Sequence, residues 1–306
     1  MASTFKITFL GSGGSWPSPG RGLPAIAVQI DAVLNLLDCG EGTQKQLMKS
    51  NVSFMKINNI FLSHFHGDHF LGLLGMVQSM SFNGRTEELH IFGPVRAREM
   101  LSNALNVGYY TLSFPIYVHE LRPGDIVDMG LFKVRTMKND HPVPAISYSL
   151  EEPDSIRIDR KKADAVGIPN KLIEKVRSEG FATHNGTTYT IDQISAGTRK
   201  GRRVVYSGDT RPMKEMVEFA AGADVFIHET TTDSSFEPKV NEFGHTSSRQ
   251  AAEIARDAGV RRFFMFHYSP RITDVKVLEN EARSIFPESY ASRELLEYEV
   301  PVVKSP

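Results

Sequence analysis

The sequence predicts an α/β protein, and three observations carry that expectation. Short runs rich in β-branched and aromatic residues recur through both halves of the chain. Segments with helical apolar spacing lie between them. No tandem repeat or low-complexity tract replaces this alternation.

The elements follow in order. Phe5–Leu10 alternates loosely and reads as a strand, and a glycine-rich loop runs from Gly11 to Gly22. Ala25–Ile30 and Val33–Leu37 are two further strands, and Gly42–Lys49 has a helical pattern. Asn59–Leu62 is a short apolar strand ending at a histidine-rich segment. Leu71, Leu74, Met76 and Val77 give Phe70–Ser79 helical spacing. After a strand at Leu89–Phe92, Pro94 is expected at the first position of a helix reaching about Asn106. Strands are expected at Ile126–Asp128, Phe132–Met137 and Ala145–Leu150. Residues 151–203 then turn charge-dense and irregular, which reads as an inserted arm with some helix near Lys171–Ser178. Regular alternation resumes at Val204 and runs to about Phe286, and the tail from Ser289 is polar.

Composition narrows the class further. The 306 residues are 41% hydrophobic and 23% charged, which excludes collagen-like, coiled-coil and largely disordered chains. Lys plus Arg is 35 against 36 for Asp plus Glu, so any nucleic-acid partner must be held by local basic patches. The one cysteine, Cys39, forms no intrachain disulfide. No apolar run reaches the roughly 18 residues of a membrane span, and MASTFKITFL has no apolar core of a signal peptide. A cytoplasmic protein with no membrane partner is expected.

The segment SHFHGDHFLGL from Ser63 offers His64, His66, Asp68 and His69 within six residues. Imidazole and carboxylate suit zinc and related divalent ions. On an extended segment, His64 and His66 face one side, and Gly67 permits a turn that sends Asp68 and His69 elsewhere. One tetrahedral ion does not accommodate all four, so two ions with ligands from distant segments are expected.

This segment resembles the HxHxDH motif of the metallo-β-lactamase superfamily. The resemblance implies a four-layer αβ/βα sandwich spanning residues 1–306. It also implies three later ligands, each following a strand: His141 in NDHP, Asp209 in SGDT and His267 in FHY. LDCGEGTQ from Leu37, VYSGDTRP from Val205, the HEAT-like His228–Thr231 and the HST-type Gly244–Ser247 are similar to ribonuclease Z, which trims the 3′ end of precursor tRNA. That branch implies two zinc ions per subunit, with manganese or another divalent ion as substitutes. His64, His66 and His141 would hold one, Asp68, His69 and His267 the other, and Asp209 would bridge them. Asp38 would be a buried support for the ligands. Asp68 would also accept the proton of the attacking water, and His245, oriented by Glu229, would protonate the leaving ribose oxygen.

The products implied are a 3′-hydroxyl on the tRNA and a 5′-phosphate on the trailer. By the same resemblance, 151–203 is a projecting substrate-binding arm that grips tRNA, with Lys171 and Lys175 as phosphate contacts. Arg21, in the first loop, would lie by the substrate's 3′ end, and Trp16 would either stack on a base or pack under the loop. A homodimer is the family's usual state. Two rival readings are a general phosphodiesterase or other metallohydrolase of this fold, and a metal-containing RNA-binding protein without catalysis.

Overall fold

The computed structural model describes residues 4–302. These divide into two compact units, one made of 4–151 with 203–301 and the other built on Glu152–Arg202.

The first unit opens with β1 (Phe5–Gly11), β2 (Ala25–Ile30) and β3 (Val33–Leu37), an antiparallel meander. Ile30 pairs with Val33 across a two-residue turn in which Asp31 takes a φ of 49°, the twist such tight hairpins require. β4 (Ile57–Phe61), β5 (Leu89–Gly93) and β6 (Ile116–Glu120) then add in parallel, with helices Thr43–Lys49, Gly72–Phe82 and Ala97–Leu105 between them. β7 (Ile126–Asp128), β8 (Lys133–Lys138) and β9 (Ile146–Glu151) begin a second sheet as antiparallel neighbours.

The second unit follows. Its strands are β10 (Ser155–Ile158), β11 (Phe181–His184), β12 (Thr187–Thr190) and β13 (Ser195–Arg199), paired β10 with β13 and β11 with β12. Asp159 caps the helix Arg160–Ala165, and Gly180 at a φ of 85° ends the helix Asn170–Glu179. Ala163, Ile168, Ile173, Val176, Ala182 and Ile194 form a small core of its own. An irregular arm with some helix near Lys171–Ser178 was the expectation here. That helix is present as Asn170–Glu179, and the four strands and the small core, to which Ile173 and Val176 contribute from one helix face, are what the surrounding charge obscures.

The chain returns as β14 (Arg203–Tyr206), β15 (Val225–Glu229), β16 (Phe263–Phe266) and β17 (Ser289–Ala291), all parallel, and β14 pairs antiparallel with β9. β18 (Glu297–Glu299) crosses back to pair with β1, so each sheet has seven strands. Phe9 meets Phe264 at 5.3 Å and Phe61 meets Tyr148 at 5.4 Å between ring centroids, which locks the sheets face to face. The outer face of the first sheet packs on its helices through Leu36, Ile60, Met76 and Leu101. That of the second packs on helices Lys214–Ala220, Ser248–Asp257 and Lys276–Ile285 through Phe226, Phe263, Ala251 and Leu278. The result is the four-layer αβ/βα sandwich of the metallo-β-lactamase fold. Among the described residues no helix is long and apolar enough to cross a membrane.

Three local expectations change. The helix expected from Pro94 starts at Ala97, because Arg96 takes a left-handed φ of 72° and acts as its cap. Helical structure begins at Gly67 rather than Phe70, so Asp68 and His69 ride on a helical turn. The polar tail supplies two strands, and Ile116–Glu120 is a strand the sequence pattern did not announce.

Candidate metal centre

The carboxyl ends of β3, β4, β14, β15 and β16 converge at one edge of the sandwich, where open α/β sheets place their ligands. β3 ends at Asp38, β4 runs into His64–His69, β14 into Asp209, β15 ends at Glu229 and β16 runs into His267. The β8–β9 connection adds His141.

The seven expected ligands come together in two groups. His64, His66, His141 and Asp209 offer ligand atoms within 4.8 Å of one another, as do Asp68, His69 and His267. Asp209 Oδ2 links the groups, 3.2 Å from His267 Nε2, 3.3 Å from His69 Nε2 and 3.7 Å from His64 Nε2. His66 Nδ1 lies 3.1 Å from His64 Nε2 and 3.2 Å from His141 Nε2. His245 also falls within 4.8 Å of Asp209 and His267. Its Nδ1, however, sits 3.0 Å from Glu229 Oε1, nearer than the 3.7 Å to Asp209.

Supporting groups hold the rings in orientation. Fully buried Asp38 accepts from Ser63 N at 2.6 Å, Ser63 Oγ at 2.7 Å and Tyr206 Oη at 2.5 Å, and its Oδ2 lies 2.7 Å from His69 Nδ1. That contact makes Nδ1 the protonated nitrogen of His69 and aims its Nε2 at the carboxylates. His141 Nδ1 donates to the Gly244 carbonyl at 2.9 Å, leaving Nε2 for the centre. Glu229 accepts from Thr210 N and Thr231 Oγ1, and Thr231 Oγ1 lies 3.3 Å from His267 Nδ1. Ser15 N donates to Asp68 at 2.6 Å. Two glycines are obligatory. A Cβ at Gly14 would lie 2.4 Å from the His267 ring, and one at Gly244 would lie 2.8 Å from His141 Nδ1. Ser63, Tyr206, Thr210, Thr231, Gly14 and Gly244 were not singled out from the sequence for these roles. Ser63, Tyr206, Thr210, Thr231 and Gly244 stood inside the quoted motifs and Gly14 in the glycine-rich loop, and that adjacency was the available signal.

The electrostatics fit a cation. Burial holds His64, His66 and His141 below the usual imidazole range, in the neutral form that ligates metal. Burial opposes charge on His69 too, yet Asp209, Asp38 and Asp68 outweigh it and hold the ring well above its ordinary value. Asp209 stays ionised against its burial through His267 and His69. Burial works against charge on His245, but Glu229, then Asp209, push it up to about 9. His69 Nε2 and Asp209 Oδ1 are buried with no hydrogen-bond partner. Orphaned buried polar atoms of this kind are costly unless something polar or cationic meets them. A donor set of imidazoles and carboxylates that leaves two buried polar atoms unpartnered fits divalent metal.

The remaining expected residues lie elsewhere. Arg21 sits 5.6 Å over the Tyr268 ring, and Trp16 is 55% exposed. Lys171 and Lys175 are on the helix Asn170–Glu179 of the second unit, where Lys175 pairs with Glu179. Asp38, at a φ of 55°, and His267, at 65°, hold backbone conformations that non-glycine residues adopt at a cost, and both belong to the centre.

Fold and site together define a metal-dependent hydrolase of the metallo-β-lactamase fold. Residues 5–286 match the family model described as anti-Pycsar protein Apyc1. The ribonuclease Z of Thermoplasma acidophilum is 64% identical over 302 residues, covering 99% of this chain and 98% of that one. The ribonuclease Z of Picrophilus torridus is 52% identical over 300 residues, 98% of this chain and 97% of its own. Among solved structures, the short form of human tRNase Z superposes with a TM-score of 0.71 at 26% identity, covering 97% of this chain and 100% of that one. The chain belongs to the family that the matching model describes and, with these relatives, to the ribonuclease Z family.

Proposed function

We propose that this chain is the endoribonuclease that removes the 3′ trailer of precursor tRNA, leaving a 3′-hydroxyl on the tRNA and a 5′-phosphate on the trailer. One observation carries the reading: seven His and Asp ligands in two groups linked by Asp209, with the His245–Glu229 pair beside them. His64, His66 and His141 would hold one ion and Asp68, His69 and His267 the other, with Asp209 placed to serve both groups. Bound there, two zinc ions (or manganese in their place) supply Lewis acidity toward the phosphate and an activated water.

The side chains do the rest. Asp38 fixes the tautomer of His69. Asp68 is the carboxylate that accepts the water's proton. His245 holds Nδ1 against Glu229, and its Nε2, with no hydrogen-bond partner among the described residues, delivers a proton to the departing ribose O3′. Without that proton a ribose oxyanion is a poor leaving group.

The unit Glu152–Arg202 is the tRNA-gripping arm of this reading. It carries ten Lys and Arg against seven Asp and Glu in a chain of net charge −1, so it concentrates positive charge where phosphates are to be met. Lys171 and Lys175 are among its contacts, and Arg21 attends the substrate's 3′ end. The enzyme acts in the cytoplasm as a homodimer. Supporting the pairing, Met48 and Phe82 line one groove and stand strongly exposed.

The deciding experiment is cleavage of a 3′-extended precursor tRNA by zinc-reconstituted protein, with both product ends mapped. A single cut near the end of the acceptor stem, with the stated termini, is expected. No cut beside brisk hydrolysis of bis(p-nitrophenyl) phosphate would overturn the substrate while keeping the metal site.

A further inference from the structure

Next to the ligand cluster lies a cavity of about 580 Å³ that His66 and His245 help to line. Its volume is in the range of small-ligand sites. Trp16, Phe236 and Phe243 line it too, and each is more than half exposed. Lys239 and Arg271 complete this set of aromatic and cationic side chains.

Trp16, Phe236 and Arg271 stand ready for a ligand. The Trp16 indole has no ring neighbour among the described residues, and its N–H donates to none of them. Phe236 has no ring neighbour there either. Arg271 has no carboxylate partner among the described residues. Lys239 lies 4.6 Å from the centre of the Phe243 ring and 3.0 Å from Glu242. Flat apolar faces beside cations suit an unpaired nucleotide, whose base stacks and whose phosphates are anionic. An apolar peptide would leave Arg271 without a role.

We propose that this cavity receives the base of the last nucleotide retained on the cut RNA. Trp16 and Phe236 supply the stacking faces, and Arg271 and Lys239 face the adjoining phosphates. The inference deepens the reading given under Proposed function and rests on it. The side of the cut follows from the chemistry of that reading. Water oxygen bonds to phosphorus, the bond from phosphorus to O3′ breaks, and O3′ takes the proton from His245. The ribose that bears O3′ belongs to the retained nucleotide. Because His245 lines this cavity, that ribose and its base belong here, and the trailer leaves by the other side of the phosphate.

Trp16 and Phe236 are therefore positioning residues for the cut, and the test is a coupling measurement. Three precursor tRNAs are compared: intact, abasic at the last retained nucleotide, and abasic at the first trailer nucleotide, with the cut position mapped first on wild type. Stacking on one aromatic is worth about a tenfold change. Trp16→Ala is expected to lose about tenfold in kcat/KM on the intact precursor and nothing more when the retained base is already missing. Trp16→Phe should recover most of the loss, and Phe236→Ala should behave as Trp16→Ala does. Circular dichroism and bound-metal content check that each variant is folded and loaded. Equal losses on intact and retained-base abasic precursors would overturn the inference, as would coupling to the trailer base instead. If wild type fails to cut the intact precursor, the functional reading itself falls, a result separable from unaffected variants of an active enzyme.

Discussion

Replacing Asp38 with asparagine tests how the centre is held without touching an expected ligand. Asp38 Oδ2 meets three groups, Ser63 Oγ, Tyr206 Oη and His69 Nδ1, at 2.7, 2.5 and 2.7 Å. An amide of the same shape puts an N–H where that oxygen was. The two hydroxyls rotate and accept from it. His69 has no such freedom, since its Nδ1 accepts only by shifting its proton to Nε2. That is the nitrogen facing Asp209 at 3.3 Å and Asp68 at 3.7 Å. A protonated Nε2 offers no lone pair to an ion, so one of the second group's three ligands is lost or must be restored at a tautomeric cost. Outer partners of this kind are worth about 10–100-fold in metal affinity, or about 1.4–2.8 kcal/mol. The assay is competition for zinc against a chromophoric chelator, with kcat/KM on precursor tRNA measured at saturating zinc. Affinity weakened by that factor, with the fold intact by circular dichroism, is expected. An unchanged zinc affinity would refute the tautomer argument, whatever happened to the rate.

Other consequences are as direct. His245→Ala should lower kcat by about 10²–10⁴-fold while zinc content and precursor Kd stay near wild type, whereas a loss confined to Kd would remove it from the acid role. Cys39 is buried, and its surroundings push the thiol up to about 12. At pH 8 about one molecule in 10⁴ carries the thiolate, so a disulfide reagent should leave native protein unlabelled and label denatured protein once per chain. Prompt native labelling would contradict the burial. Glu151 and Arg203 are antiparallel partners, so a short turn can join them when 152–202 is excised. The shortened protein should keep zinc and hydrolyse bis(p-nitrophenyl) phosphate, and lose on the order of 100-fold in precursor cleavage. A folded, zinc-loaded deletion that cuts precursor normally would end the arm assignment.

What the sequence made legible divides along physical lines. His64, His66, Asp68 and His69 lie within one short segment, so ligand spacing could be read without knowing the fold. Their distant partners were findable because the resemblance to the metallo-β-lactamase superfamily implies a His, an Asp and a His each after a strand, and His141, Asp209 and His267 follow runs of β-formers in that order. The strand Glu297–Glu299 shows the opposite case. Its identity depends on Lys6 pairing with Glu299 across nearly the whole chain, and three residues alternating Glu, Tyr, Glu contain no local sign of it. Arg96 likewise ends the reach of Pro94 through a backbone angle that its residue type does not advertise. Gly14 and Gly244 are of this kind too. The need at Gly14 comes from His267 arriving from elsewhere, and at Gly244 the approach of Pro142 and His141 adds to a left-handed φ of 91°. The same reasoning covers the cavity aromatics. Trp16 was open to base stacking from the sequence, but Phe236, some 220 residues later, joins it only because the β1–β2 loop and the segment after β15 meet beside His245. Chemistry carried by adjacent residues is therefore visible in sequence, whereas a site's shape, made by segments that meet only in the folded sandwich, is not.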